Sequence, residues 1–227
     1  MKLKADLHIH TLDDKEDNMV KHNVKEVIDE AQRKNFDVLS ITNHNQVDFN
    51  AEISIYAENK GIVLLPGVEL SVQNKHVLLI NPENNLKISS ISHLKDIKSD
   101  HTLVIAPHPF YPGFHSLSHE LEKNIGFFDG IEFCHFYSWF FNFNKKAASL
   151  AYENNIPLIG NSDAHELWQI GTTYTLIDAK KDKKSIIRAV KEKKTELVTQ
   201  PLSGKTILKS IIEIIYAKIK KFRNSSH

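Results

Sequence analysis

The sequence predicts an α/β fold in which a parallel sheet curls into a barrel and collects metal-type ligands at one rim. Three observations carry this. Short strand-like runs alternate with segments of helical period, which is the pattern of repeated βα units. Five short segments at these runs each end in a metal-type ligand: Asp6-Leu7-His8-Ile9-His10, Thr42-Asn43-His44-Asn45, Gly67-Val68-Glu69, Ala106-Pro107-His108-Pro109 and Ser162-Asp163-Ala164-His165. Residues i and i+2 of a strand share a face, so His8 points with His10, and Asp163 with His165, while Leu7 and Ile9 turn toward an outer helical layer.

The expected strands, in order, are Lys4–His10, Val38–His44, Ile62–Leu70, His76–Ile80, Leu103–His108, Gly130–His135 and Pro157–Asp163, a working count of seven. Helices belong between most of them. The clearest begins at Asn23, with Glu26 three places on as in a capping box, and puts Val24, Val27, Ile28 and Ala31 on one face that covers the first strand. Others are expected at Ala51–Lys60, Leu86–Ser99, Asn142–Asn155 and Lys183–Lys194, whereas Ile62 to His76 reads as two strands and a short turn. No internal repeat, low-complexity tract or linker divides the 227 residues, so one domain over 1–227 is expected.

Composition narrows the function. Twenty-nine Lys and Arg against 28 Asp and Glu leave a formal charge of +1, so no global field draws the chain to nucleic acid. Only Arg33, Arg188 and Arg223 are arginines. The single cysteine, Cys134, excludes an internal disulfide and agrees with a reducing compartment. No stretch approaches the roughly 18 apolar residues of a membrane span, and a cytoplasmic location is expected.

His, Asp and Glu converging from several strand ends make a nitrogen and oxygen site suited to Zn, Mn or Fe. In this order, from Ala5 to His165, the segments resemble the motifs of the PHP (polymerase and histidinol phosphatase) family. The resemblance implies a distorted (β/α)7 barrel, similar to a TIM barrel, that holds two to three divalent ions at the carboxyl ends of its strands and hydrolyses phosphoesters. It further implies that His8, His10, Glu69 and Asp163 bind a first metal, that Asp14, His44 and His165 bind a second, and that Glu69, His76 and His108 bind a third, with Glu69 bridging. The catalytic set it implies is Asp163, His165 and Glu69. Two departures stand out. Asn43 replaces the usual Asp before His44, and Asn43→Asp is accordingly expected to keep or tighten metal binding. The acidic ligand after His10 falls in Asp13-Asp14-Lys15-Glu16-Asp17, where Asp14 is preferred and Asp17 is the alternative.

The function expected is hydrolysis of a small phosphorylated substrate by a metal-bridging hydroxide, since divalent ions attract a phosphate without an arginine cluster. Action on oligonucleotide ends, hydrolysis of C–N bonds and a noncatalytic binding role are the alternatives. His135 stands where the family more often has Asn, and is read as a substrate contact, a support for a ligand or an ordinary polar strand end. His115 and His119 have i,i+4 spacing but sit near Gly113 and Ser116, which favours a loop. Cys134 is read as a buried, inert thiol. Near the end, Ile207, Leu208, Ile211, Ile212, Ile215, Ile219 and Phe222 form a stripe on a helix over about 205–223, flanked by lysines. Packing of that stripe on the barrel or on a second copy in a homo-oligomer is preferred to membrane-surface binding.

Overall fold

The computed structural model of the chain describes residues 1–83, 88–113, 115–210 and 212. Nine strands form one sheet: β1 (Lys2–Ile9), β2 (Val38–Ile41), β3 (Val63–Val72), β4 (Lys75–Ile80), β5 (Leu103–Ala106), β6 (Gly130–Cys134), β7 (Leu158–Asn161), β8 (Thr173–Asp178) and β9 (Thr195–Thr199). Their spatial order is β7-β6-β5-β4-β3-β2-β1-β8-β9. The helices are α1 (Val24–Arg33), α2 (Ala51–Asn59), α3 (His119–Lys123), α4 (Asn144–Glu153) and α5 (Lys183–Lys191).

The seven expected strands are present, but β8 and β9 follow them, and the sheet is mixed rather than parallel. β1 with β2, β2 with β3, β5 with β6 and β6 with β7 pair in parallel; β3 with β4, β4 with β5, β1 with β8 and β8 with β9 pair antiparallel. The reason at β3–β4 is the link itself. Gln73 and Asn74 alone join the strands, with φ of 52° and 61°, and two residues suffice only for a hairpin. The two strands and short turn expected over Ile62 to His76 are thus β3, this turn and the start of β4.

The sheet curls until its ends nearly meet. Ile9 bridges Ala164 in parallel, His10 N–H donates to the Ala164 carbonyl at 3.1 Å, and Leu7 N–H donates to Asn161 Oδ1 at 2.9 Å. On the other side Gly160 N–H donates to Thr175 Oγ1 at 2.8 Å. A Cβ on Gly160 would lie 2.7 Å from the Tyr174 carbonyl oxygen and 2.5 Å from Leu197, so the approach of β7 to β8 and β9 requires glycine there. Side chains from well-separated strands consequently share one buried cluster, in which Ala5, Leu65, Leu78, Ile105 and Ile159 pack with Ile187 of α5.

Leu7 joins that inner cluster, contrary to the expected alternation, whereas Ile9 packs with Val27, Ile28 and Ala31 of α1. A register irregularity between Asp6 and Ile9 separates the two faces. α1 starts as expected: Asn23 accepts from Glu26 N–H at 3.0 Å and Glu26 returns the bond to Asn23 N–H at 2.8 Å. Burying Val27, Ile28 and Ala31 then binds the helix to the sheet, at roughly 1.5–3 kcal/mol for each of the two larger side chains. Of the helix expected at Leu86–Ser99, residues 86 and 87 lie outside the described residues, and Ile91–Asp96 forms a 3₁₀ helix. Residues 204–210 are helical, with Ile207 buried and Leu208 exposed; most of the stripe expected over 205–223 lies outside the described residues. Among the described residues no helix is long and apolar enough to cross a membrane.

Candidate metal centre

All nine sequence-predicted ligands lie at one rim of the curled sheet. His8 belongs to β1 and His10 follows it; His44 follows β2, Glu69 lies in β3, His76 in β4, His108 after β5, and Asp163 and His165 after β7. The loop after β1 supplies Asp14. Two of these positions, His108 and Asp163, have φ of 27° and 46°, on the positive side that residues other than glycine adopt uncommonly.

His8, His10, Glu69 and Asp163 converge. His8 Nε2 is 3.1 Å from His10 Nε2, 3.4 Å from Glu69 Oε2 and 3.3 Å from Asp163 Oδ1, and His10 Nε2 is 3.3 Å from each of the same two oxygens. Four ligand atoms around an ion with bonds of about 2.0–2.1 Å would stand about 3.3–3.4 Å apart in a tetrahedron. His8 Nδ1 gives its proton to Glu132 Oε2 at 2.9 Å, and His10 Nδ1 gives its own to Asp14 Oδ2 at 2.9 Å. With Nδ1 so engaged, each ring can offer the Nε2 lone pair beside two carboxylates, and this donor set fits a cation.

The electrostatics agree. Burial alone would lower the imidazoles of His8 and His10, yet the carboxylates around them, Asp163, Glu132 and Glu69 for the first and Asp14, Asp163 and Glu69 for the second, hold both well above the ordinary histidine range. Burial would raise Glu69 and Asp163, and the surrounding imidazoles instead hold both well below the usual carboxylate range. A site that would take up protons this strongly is one whose proton positions a metal can occupy.

Glu69 extends the centre. Its Oε2 lies 3.1 Å from His44 Nε2, while its Oε1 lies 2.8 Å from His76 Nδ1 and 3.1 Å from His108 Nε2. The His76 contact lacks the direction of a hydrogen bond, leaving Nδ1 buried without a proton partner. Glu69, His76 and His108 are thus brought together around one carboxylate oxygen. Asp14, His44 and His165 are not gathered into one set. Asp14 Oδ2 accepts from His44 Nδ1 at 2.7 Å as well as from His10, whereas His165 Nε2 faces Asp17 Oδ2 at 3.0 Å and its Nδ1 donates to the Asp163 carbonyl at 2.8 Å. His165 groups with His10 and Asp163.

Asn43 has a different task from the one expected. Its Oδ1 accepts from Thr11 N–H at 2.8 Å, and its Nδ2 donates to Thr11 Oγ1 at 2.8 Å and to Asp48 Oδ2 at 2.6 Å. The amide thus ties the loop after β1 to β2, and Asp48 supplies a carboxylate that an Asp at 43 would repel.

Several residues escaped the sequence reading. Glu132 orients His8, and Asp6, whose carboxyl is pushed up to about 7 by burial, accepts from Ser162 N–H at 3.1 Å. A signal for Glu132 existed: a carboxylate inside the apolar run Gly130–Cys134 demands a buried partner. His22 Nε2 bonds the His10 carbonyl at 3.0 Å, with no local signal to announce it.

The ligands open into a cavity of about 410 Å³ whose other walls include Met19, Tyr111, Phe136, Trp168 and Gln169, and no Lys or Arg among the described residues lines it. Gln169 Oε1 accepts from both His165 N–H and Glu166 N–H at 2.7 Å, so its amino group faces His135 Nε2 at 3.3 Å. His135 is therefore a buried neutral imidazole, lowered to about 4 by burial. His115 stacks on His76 with ring centres 4.5 Å apart, while His119 opens α3 and points to solvent, so the i,i+4 pair does not form a site. Burial, with Glu132 and Asp163 nearby, raises the Cys134 thiol well above its ordinary range.

The chain resembles known proteins in ways that meet this geometry. A family model described as PHP-associated matches residues 141–195, the stretch running from before α4 to the start of β9. An uncharacterized protein of Methanocaldococcus jannaschii is 28% identical over 119 residues, which cover 48% of this chain and 70% of that one. Among solved structures, PsfC of Pseudomonas syringae aligns with a TM-score of 0.62 at 16% identity over 96% of this chain and 98% of its own. A proposed metal-dependent phosphoesterase of Bifidobacterium adolescentis aligns at 0.54 and 15%, covering 71% of this chain and 87% of that one. An amidohydrolase of Chromobacterium violaceum, with bound sulfate and no metal, aligns at 0.53 and 17% over the same shares. The PHP resemblance of the motifs is thus matched by a PHP-associated sequence segment over residues 141–195, and the barrel-like fold is shared with these solved structures.

Proposed function

We propose that the chain is a metal-dependent phosphoesterase that hydrolyses small phosphate monoesters. The observation that carries this reading is Glu69, whose two oxygens serve two separate groups of imidazoles, five rings from four different strands or strand ends. A carboxylate so placed suits neighbouring cation positions at the spacing that spans attacking and phosphoryl oxygens. Bound divalent ions, Zn, Mn or Fe, would acidify water and polarise the phosphoryl group.

The chain's own residues hold and move protons around that chemistry. Glu132 and Asp14 fix His8 and His10 in the tautomer with Nε2 toward the centre. Asp163 Oδ1 borders the cavity and is suited to accept the proton of the attacking water. Both ring nitrogens of His165 face oxygen acceptors, which suits it to pass a proton to the leaving alkoxide. Among the described residues no Lys or Arg lines the cavity wall, so bound metals would supply its positive charge there, which favours one phosphate over a run of them.

The test is a panel of phosphate monoesters, diesters, oligonucleotides and amides, assayed with Mn-loaded protein whose metal content is measured on the same sample. Turnover of monoesters with weak salt dependence is expected. Turnover of amides but of no phosphoester, or steeply salt-inhibited release of nucleotides, would overturn the reading.

A further inference from the structure

The metal-type ligands make up only part of the cavity wall, and much of the remainder is aromatic. Phe136 lines the cavity and packs on Phe141, with ring centres 6.2 Å apart, while Tyr111 lines it and packs on Phe143 at 5.3 Å. The Tyr111 hydroxyl donates to the Phe136 carbonyl and accepts from Asn144 Nδ2 at 3.4 Å, which ties the two rings into one braced wall. With its hydroxyl so engaged, Tyr111 offers a ligand its ring rather than a hydrogen bond.

Trp168 stands on the segment that follows the ligands Asp163 and His165. It lies in a short 3₁₀ helix, Leu167–Gln169, whose backbone is held by two sets of bonds: Gln169 Oε1 accepts from His165 and Glu166 N–H at 2.7 Å, and the Lys34 ammonium donates to the Leu167 and Trp168 carbonyls at 3.5 and 3.4 Å. The half-buried indole lines the cavity, and no other ring among the described residues packs on it. Met19 reaches the same cavity from the loop after β1, whose Asp17 faces His165 Nε2 at 3.0 Å. An indole and a thioether are thus set close to the centre without a part in the proposed hydrolysis.

We propose that Trp168 is the specificity-determining residue of the centre: resting on the phosphoesterase reading, the substrate is a phosphate monoester whose alcohol carries a planar aromatic ring, stacked on the Trp168 indole and bordered by Met19 and Phe136. Aromatic rings attract one another beyond the area they bury, and a thioether adds a favourable contact with a ring. The cavity of about 410 Å³ falls within the roughly 300–1,000 Å³ of small-molecule sites, so a phosphate at the ligands leaves room for such a group. A polyol in the same place would strip its hydroxyls of water against the aromatic wall, a cost that an aryl group does not bear.

The test compares phenethyl, cyclohexylethyl and ethyl phosphate, whose leaving alkoxides are alike, on metal-loaded full chain. Wild-type kcat/KM should be at least about tenfold higher for the phenethyl than for the ethyl ester, and about two- to tenfold higher than for the cyclohexylethyl ester. At matched metal content the preference over ethyl phosphate should fall at least about fivefold in Trp168→Leu, chiefly through KM, and be retained in Trp168→Phe. In a Trp139→Phe background Trp168 is the sole tryptophan, and with Zn bound its emission should change on adding phenylpropylphosphonate but not propylphosphonate. Equal kcat/KM for the phenethyl and cyclohexylethyl esters, a preference unchanged in Trp168→Leu, or an emission blind to the phenyl phosphonate would overturn the inference and leave the phosphoesterase reading intact. Turnover of none of the three esters would count against that reading itself, and the inference would fall with it.

Discussion

At the scale of residues, the centre depends on groups that touch no ion position. Removing the Glu132 carboxylate frees His8 Nδ1 from its acceptor at 2.9 Å and lets the ring turn or exchange tautomers. Glu132→Ala should therefore weaken metal binding about 10–100-fold, measured by competition with a chelator, while the fold persists. Asn43→Asp should destabilise the protein by about 2–4 kcal/mol in chemical denaturation, because it removes both amide donors and sets a carboxylate against Asp48. The expectation from sequence concerned metal binding alone, since the neighbour at Asp48 could not be known there. His135 carries a pH dependence. Burial lowers its folded value to about 4, below its ordinary 6.5, so as pH falls the unfolded chain takes up the proton first and stability is lost from about pH 6.5 toward pH 4. Between pH 7 and 5 the wild type should lose about 2 kcal/mol more than His135→Asn, in parallel urea titrations without metal.

At the scale of elements, the ligand strands were legible and the frame around them was not. His8, His10, His44, Glu69, His108 and Asp163 announce themselves because each lies in or just after a short strand-like run, a local signal of polar groups gathered by a sheet. Strand direction has no such local mark: β4 has the composition of a parallel core strand yet runs antiparallel to both of its neighbours, β3 and β5. β8 and β9 were overlooked because they are Thr-rich, half-exposed and carry no ligand, though β8 seals the sheet beside β1. Asp6 and Glu132 were hidden for another reason, since their partners lie 156 and 124 residues away along the chain. Closure at β7 gives a test at this scale. Gly160→Ala should cost about 1–3 kcal/mol, read by thermal unfolding, because its Cβ would collide with the Tyr174 carbonyl and Leu197. Metal affinity should fall with it, as β7 carries Asp163 and His165 to the centre.

At the scale of the whole molecule, curling the sheet brings the strand ends to one rim, so residues as distant in sequence as His8 and Asp163 come within 3.3 Å. The fold explains why a chain with few arginines can still present concentrated positive charge, provided that ions fill the centre. The most direct measurement of this account is to strip the protein with a chelator and titrate Mn back, following bound metal and phosphomonoester hydrolysis together in wild type and Glu69→Gln. The account predicts no turnover without metal, recovery as more than one equivalent binds, and loss of both high-affinity binding and turnover in Glu69→Gln, because one carboxylate serves both groups of imidazoles. Undiminished turnover by the stripped protein, or a Glu69→Gln variant that binds metal and hydrolyses monoesters as the wild type does, would contradict it.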